Sequence, residues 1–193
     1  MRLLAFSDLH RDLDRAASLA RRSDEVDVVI GAGDFASVHR GLDETIDALS
    51  AIETPTLLVP GNNETDEALR AASEGWRAAT ILHGEGVELD GRSFFGLGAG
   101  VPVTPWDWSF DLTEDEAEAK LTSCPEGAVM VLHSPPRGHV DKGLGSEAIL
   151  KAVERKRPPL AVCGHIHECW GRESAAGATR VLNLGPDGTL IEI

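Results

Sequence analysis

At 193 residues, with 42% hydrophobic and 26% charged side chains, the chain has an ordinary globular balance, which excludes disorder and collagen-like structure. Its longest apolar run, counting glycines, is the eight residues Phe94 to Val101, against about 20 for a membrane helix. Eighteen basic residues against 32 acidic give a formal charge of −14, so a polymeric nucleic acid is a poor fit as a partner. A phosphate substrate is compatible with that charge only if a local cation reverses its sign. The apolar stretch after Met1-Arg2 is interrupted by Asp8, too soon for a signal-peptide core. The expectation is one domain over residues 1–193, cytoplasmic and without a membrane anchor. Cys124, Cys163 and Cys169 are an odd number with no C-x-x-C pair, which points to free thiols.

In chain order, Leu3 to Phe6 reads as a short strand, and Asp12 to Arg22 carries apolar residues at helical spacing. Val26 to Ile30 is a β-branched run of the kind buried on both faces of a sheet. A helix over 43–51, a strand over 56–59 and a helix over 64–73 continue the alternation, which implies parallel strands with helical crossovers. Residues 87–95 read as a hairpin turning at Asp90-Gly91, followed by a Gly, Pro and Trp-rich loop to Phe110. Thr113 should cap a helix to Leu121, whose acidic first turn complements the helix dipole. A strand over 128–132, a helix from Ser146 to Lys156 and a strand over 160–163 come next. Residues 179–184 and 189–193 are expected to close the chain as a hairpin across Pro186-Asp187-Gly188.

The informative residues are those just beyond the strands, because open α/β sheets bind ligands outside their carboxyl ends. Five strands end in Asp8-Leu9-His10, Gly33-Asp34, Gly61-Asn62-Asn63-Glu64, His133-Ser134 and Gly164-His165-Ile166-His167. Singly, each has a structural reading: a capping Asp, a turn Asn, a satisfied core His. Among them Asp8, Asp34, Asn62 and four of the seven histidines in the chain make a mixture suited to first-row divalent metals. Seven groups exceed the needs of one ion. Two ions sharing the Asp34 carboxylate would use them all, and such a pair suits in-line displacement at phosphorus.

These blocks, in this order from Asp8 to His167, resemble the signature of the calcineurin-like metallophosphoesterases. The resemblance implies a four-layer α-β-β-α sandwich with a dinuclear site at the strand ends. It also implies that Asp8, His10, Asp34 and His167 hold one ion, while Asp34, Asn62, His133 and His165 hold the other. Manganese is the leading expectation, with iron, zinc, nickel or magnesium as alternatives. The implied activity is hydrolysis of a small phosphodiester or activated monoester, by in-line attack of metal-activated water. A non-enzymatic protein-binding module on the same fold, or a nuclease of the same family, are the competing readings, and a homo-oligomer stays open.

One departure matters. The family commonly has a histidine after the metal-binding asparagine, where it assists the leaving group, and here that position is Asn63. An amide donates hydrogen bonds but is no general acid near neutral pH. His39 and His139, each in a loop after a motif block, are the candidate replacements, with a plain surface role as the alternative. Trp106-Asp107-Trp108 reads as a substrate rim, or else as core packing or a subunit contact. Arg137 is a candidate phosphate contact or a surface arginine. Walker, dinucleotide-binding and nucleophile-elbow motifs are all missing.

Overall fold

A computed structural model describes all residues, 1–193. Two sheets lie between helices. The first has the order β11-β1-β2-β3-β4, with β1 Arg2–Phe6, β2 Val28–Gly31, β3 Thr56–Leu58, β4 Ala79–Ile81 and β11 Thr189–Glu192. The second has the order β5-β6-β7-β8-β10-β9, with β5 Glu85–Leu89, β6 Arg92–Leu97, β7 Val129–Leu132, β8 Leu160–Cys163, β9 Glu173–Ala176 and β10 Thr179–Asn183. Strands β1 to β4 are parallel, as are β6, β7, β8 and β10, so both sheets present their carboxyl ends to connecting loops.

Alternation along the strands assigns side chains to three apolar layers. Leu4, Phe6, Val29 and Leu58 face outward onto Ala16 and Leu19 of α1 (Leu13–Arg22), Ile46 and Leu49 of α2 (Leu42–Leu49) and Leu69 of α3 (Asp66–Ala72). Their neighbours Leu3, Ala5, Ile30 and Leu57 point the other way and meet Val129, Val131 and Val162 between the sheets. Met130 and Leu132 turn from that layer onto Leu121 of α4 (Glu114–Leu121) and Ile149 and Val153 of α5 (Glu147–Lys156). Three cores of this kind make four layers. The helices begin where their caps stand: Asp12, Thr65, Thr113 and Ser146 each accept the backbone N–H three residues on.

The expected carboxyl-terminal hairpin does not form. Strand β10 is flanked by β8 and by β9, its antiparallel partner across the Gly177 turn, which leaves no free edge. The last strand instead crosses to the first sheet and pairs antiparallel with β1, placing Leu3 opposite Ile191. The three cysteines are free and buried. No helix is long and apolar enough to cross a membrane.

Candidate metal centre

The loops after β1, β2 and β3 of one sheet meet those after β7 and β8 of the other at one end of the sandwich. There Asp8, His10, Asp34 and His167 bring one ligand atom each within 4.8 Å of one another, and Asp34, His133 and His165 form a second such group. Asp34 belongs to both. Asn62 joins the second group, with its Oδ1 3.2 Å from His133 Nε2 and 3.0 Å from His165 Nδ1.

This convergence comes with backbone strain. Asp8, His10, Asp34 and His165 all have positive φ, a region that non-glycine residues avoid and that concentrates at functional sites. Close approach of the loops also needs two glycines. A side chain at Gly61 would collide with the Asp34 carboxylate, and one at Gly164 would sit 2.6 Å from Asp8 Oδ2.

Neighbouring groups fix which atoms face inward. His133 Nδ1 lies 2.8 Å from the Ala32 carbonyl and His10 Nδ1 3.2 Å from that of Ala36. A carbonyl only accepts, so each Nδ1 carries the proton and each Nε2 turns a lone pair to the centre. Asn62 Nδ2 donates to Ser109 Oγ at 2.9 Å, which aims its oxygen at the histidines. His133 Nε2 therefore meets only acceptors, Asn62 Oδ1 at 3.2 Å and Asp34 Oδ1 at 3.5 Å. Lone pairs aimed at one another repel unless a cation lies between them. At the other group, His10 Nε2 and His167 Nε2 stand 3.1 Å apart, and Asp34 Oδ2 and Asp8 Oδ1 are 3.7 Å from one or the other. The donor set fits divalent ions.

The electrostatics agree. Burial, and then the nearby Asp8 charge, push the Asp34 carboxyl up to about 7. Burial, then neighbouring His133, lowers His165 to about 3, so its imidazole stays neutral above pH 5.

Three residues not singled out in the sequence complete the centre. Glu64 is fully enclosed, and its carboxylate accepts the N–H groups of Asp34 (2.8 Å), Gly61 (2.6 Å) and Ala36 (3.0 Å). It ties the β2 and β3 loops together. Trp170 donates its indole N–H to Asp8 Oδ2 at 3.0 Å and packs its ring on His167. Ser109 holds Asn62, as above. A buried acid directly after Gly61-Asn62-Asn63 was the one readable signal, for Glu64; the other two arrive from loops distant in sequence.

Asn63 lines the cavity and commits its side chain to this scaffold. Its Nδ2 donates to Asp34 Oδ2 at 2.8 Å, and its Oδ1 accepts the Val38 N–H at 2.8 Å. His39 and His139 do not line the cavity. His39 Nε2 contacts the Trp108 carbonyl, and His139 Nδ1 lies 3.2 Å from Ser174 Oγ. Arg137 also stands outside it, 3.9 Å from Glu147. Trp106 and Trp108 do line the cavity.

Fold and donor chemistry together define a class: the metal-dependent phosphoric ester hydrolases. The family model for the calcineurin-like phosphoesterase superfamily domain matches residues 1–189, and the chain belongs to that superfamily. It is 27% identical to UPF0046 protein K07C11.7 of Caenorhabditis elegans over 93% of its own length and 68% of that protein's. Among solved structures it resembles TT1561 of Thermus thermophilus, with a TM-score of 0.78 at 18% identity over 96% of this chain and 90% of that one. A dimetal phosphatase from Danio rerio shares the fold at a TM-score of 0.69 and 15% identity, covering 96% and 88% of the two chains.

Proposed function

We propose that the protein hydrolyses a small phosphodiester, or a monoester with a good leaving group, using two divalent ions, manganese first among them. Asp8, His10, Asp34 and His167 would hold one ion, and Asp34, Asn62, His133 and His165 the other. The observation that carries this reading is the convergence of three potential ligand atoms, with Asn62 Oδ1 3.2 Å and Asp34 Oδ1 3.5 Å from His133 Nε2. Bound there, the ions would supply Lewis-acid charge at the phosphoryl group and activate water. The side chains do the rest. Asp34 spans both positions, Glu64 and Asn63 keep its loop in place, and Trp170 orients Asp8.

No imidazole outside the proposed ligand set lines the cavity, so no second histidine there can protonate a departing alkoxide. The logarithm of kcat/KM for manganese-loaded protein should therefore fall steeply with leaving-group pKa across aryl and alkyl phosphodiesters. Asn63→His should recover about 100-fold on the poorest leaving groups, the low end of general-acid catalysis. A flat dependence with no gain in the variant would refute the missing-acid argument. The activity itself is tested by metal-depleted against manganese-loaded protein on phosphomonoesters, phosphodiesters and cyclic nucleotides. Turnover that appears with metal and vanishes with chelator supports the proposal, and none on any substrate overturns it.

Metal binding should also release protons. An Asp34 carboxyl raised to about 7 in the metal-free protein is largely protonated at pH 6 and must ionise to bind. Apparent affinity should fall about tenfold per pH unit below 7 and level off above 8, for one proton displaced. Calorimetric titration in buffers of different ionisation enthalpy measures this. Equal heats in all buffers at pH 6 would contradict it.

A further inference from the structure

The two walls of the metal-site cavity differ, and from that difference we infer the kind of ester it takes: a phosphoryl group bearing a flat, uncharged organic part. This rests on the phosphoesterase reading above and goes on to name the substrate class.

One wall is polar and holds the proposed metal ligands. The other is an indole platform. Trp106 and Trp108 stack nearly parallel, with ring centroids 5.6 Å apart and planes 12° apart, and Trp106 is 51% exposed at the rim. Pro102 and Pro105 of the same loop, and Leu144, also line the cavity. The cavity encloses about 680 Å³, within the range of sites that hold small organic ligands.

The platform is fixed to the reaction centre. Asp111 Oδ2 accepts the Thr104 N–H and hydroxyl, each at 2.7 Å, and Asp111 Oδ1 accepts the Ser109 hydroxyl at 2.7 Å. Ser109 in turn accepts the amide of Asn62, and the Phe110 N–H donates to the Asn62 carbonyl at 2.9 Å. The residues that aim Asn62 thus also anchor the loop that carries the indoles. A flat ring stacking there meets a surface already in place, without the cost of ordering a loop.

Charge narrows the class further. No Lys or Arg lines the cavity, whereas Glu168 does. A phosphoryl group at the metals is neutralised by them, but an anionic group on the organic part would find no cation. An uncharged ring satisfies both walls.

The test is binding by calorimetry to manganese-loaded protein of three phosphonates: methyl, phenyl and 4-carboxyphenyl. Phenylphosphonate is expected to bind about fivefold more tightly than methylphosphonate, the low end of ring stacking on an aromatic side chain. It should also outbind the 4-carboxyphenyl compound. The phenyl-to-methyl ratio should collapse in Trp106→Ala and persist in Trp106→Phe, which keeps a flat ring. Equal affinities in the wild type, or a ratio indifferent to Trp106→Ala, would overturn the inference while leaving the phosphoesterase reading standing. Equal binding of the phenyl and carboxyphenyl compounds would overturn the charge argument. If Trp106→Ala instead dissociates an oligomer in sedimentation and leaves the ratio intact, the indoles are a subunit contact and the inference fails. Failure of all three phosphonates to bind would refute the metal-site reading itself.

Discussion

Replacing Asp34 by Asn is expected to abolish phosphoester hydrolysis while leaving the chain folded. Asp34 is the one residue common to both donor groups, and an amide oxygen is a neutral, weaker ligand that bridges poorly. Misplacing reacting groups by about 1 Å can already cost about 100-fold in rate, and losing an ion should cost more. The fold should survive because Asp34 lies beyond β2, outside the three apolar layers, and an Asn Oδ1 can still accept the Asn63 N–H. The sign of its pH effect is separately checkable. A carboxyl at about 7 when folded and near 3.8 when unfolded binds more protons in the native state between those values. The metal-free wild type therefore loses stability from this group as pH rises from 4 to 7, and Asp34→Asn should lack that component. Circular dichroism, metal content and turnover on one phosphodiester make the comparison. Near-wild-type turnover in a metal-replete variant would move the chemistry away from this centre.

Glu64→Ala should be the more damaging change to the protein as a whole. Its carboxylate is the partner of three buried backbone N–H groups, and each buried donor left unpaired costs about 1–3 kcal/mol. The sum, about 3 kcal/mol or more, is a large share of a typical domain's 5–15 kcal/mol. Metal affinity should fall with it, because the orphaned N–H groups belong to the loops that carry Asp34 and Asn62. Glu64→Gln keeps one acceptor oxygen and the shape, so it should lie between wild type and Ala in stability. Urea unfolding of the metal-free proteins measures the first effect, and metal titration the second. A Glu64→Ala protein as stable as wild type, with full metal content, would show that the loops hold their places without it.

Much of this molecule was legible along the chain because its signals are local. Short apolar runs, capping residues such as Thr113 and Ser146, and the Asp90-Gly91 turn each act within a few residues. The donor blocks were legible for a related reason, since a strand end announces itself. Pairing at a distance was not legible. Pro186-Asp187-Gly188 carries a hairpin's composition, yet β10 has both edges filled by β8 and β9, so the last strand goes to β1. Strand β9, Glu-Ser-Ala-Ala, has neither alternation nor branched residues and owes its existence to pairing with β10. Strand β4 is three residues on a sheet edge. The supporting residues show the same division. Asp8 and His165 sit in recognisable blocks, whereas Trp170 and Ser109 matter only because separate loops bring them against Asp8 and Asn62.

The central claim, two metal ions sharing one carboxylate, is tested most directly by counting and coupling the ions in the same sample. Manganese-loaded wild type should contain two ions per chain by elemental analysis, with the electron paramagnetic resonance signal of an exchange-coupled pair, since seven donors in two groups share Asp34. Asp34→Asn should lose the coupling and at least one ion. One ion or fewer per wild-type chain, or two uncoupled ions retained equally by Asp34→Asn, would contradict the shared centre.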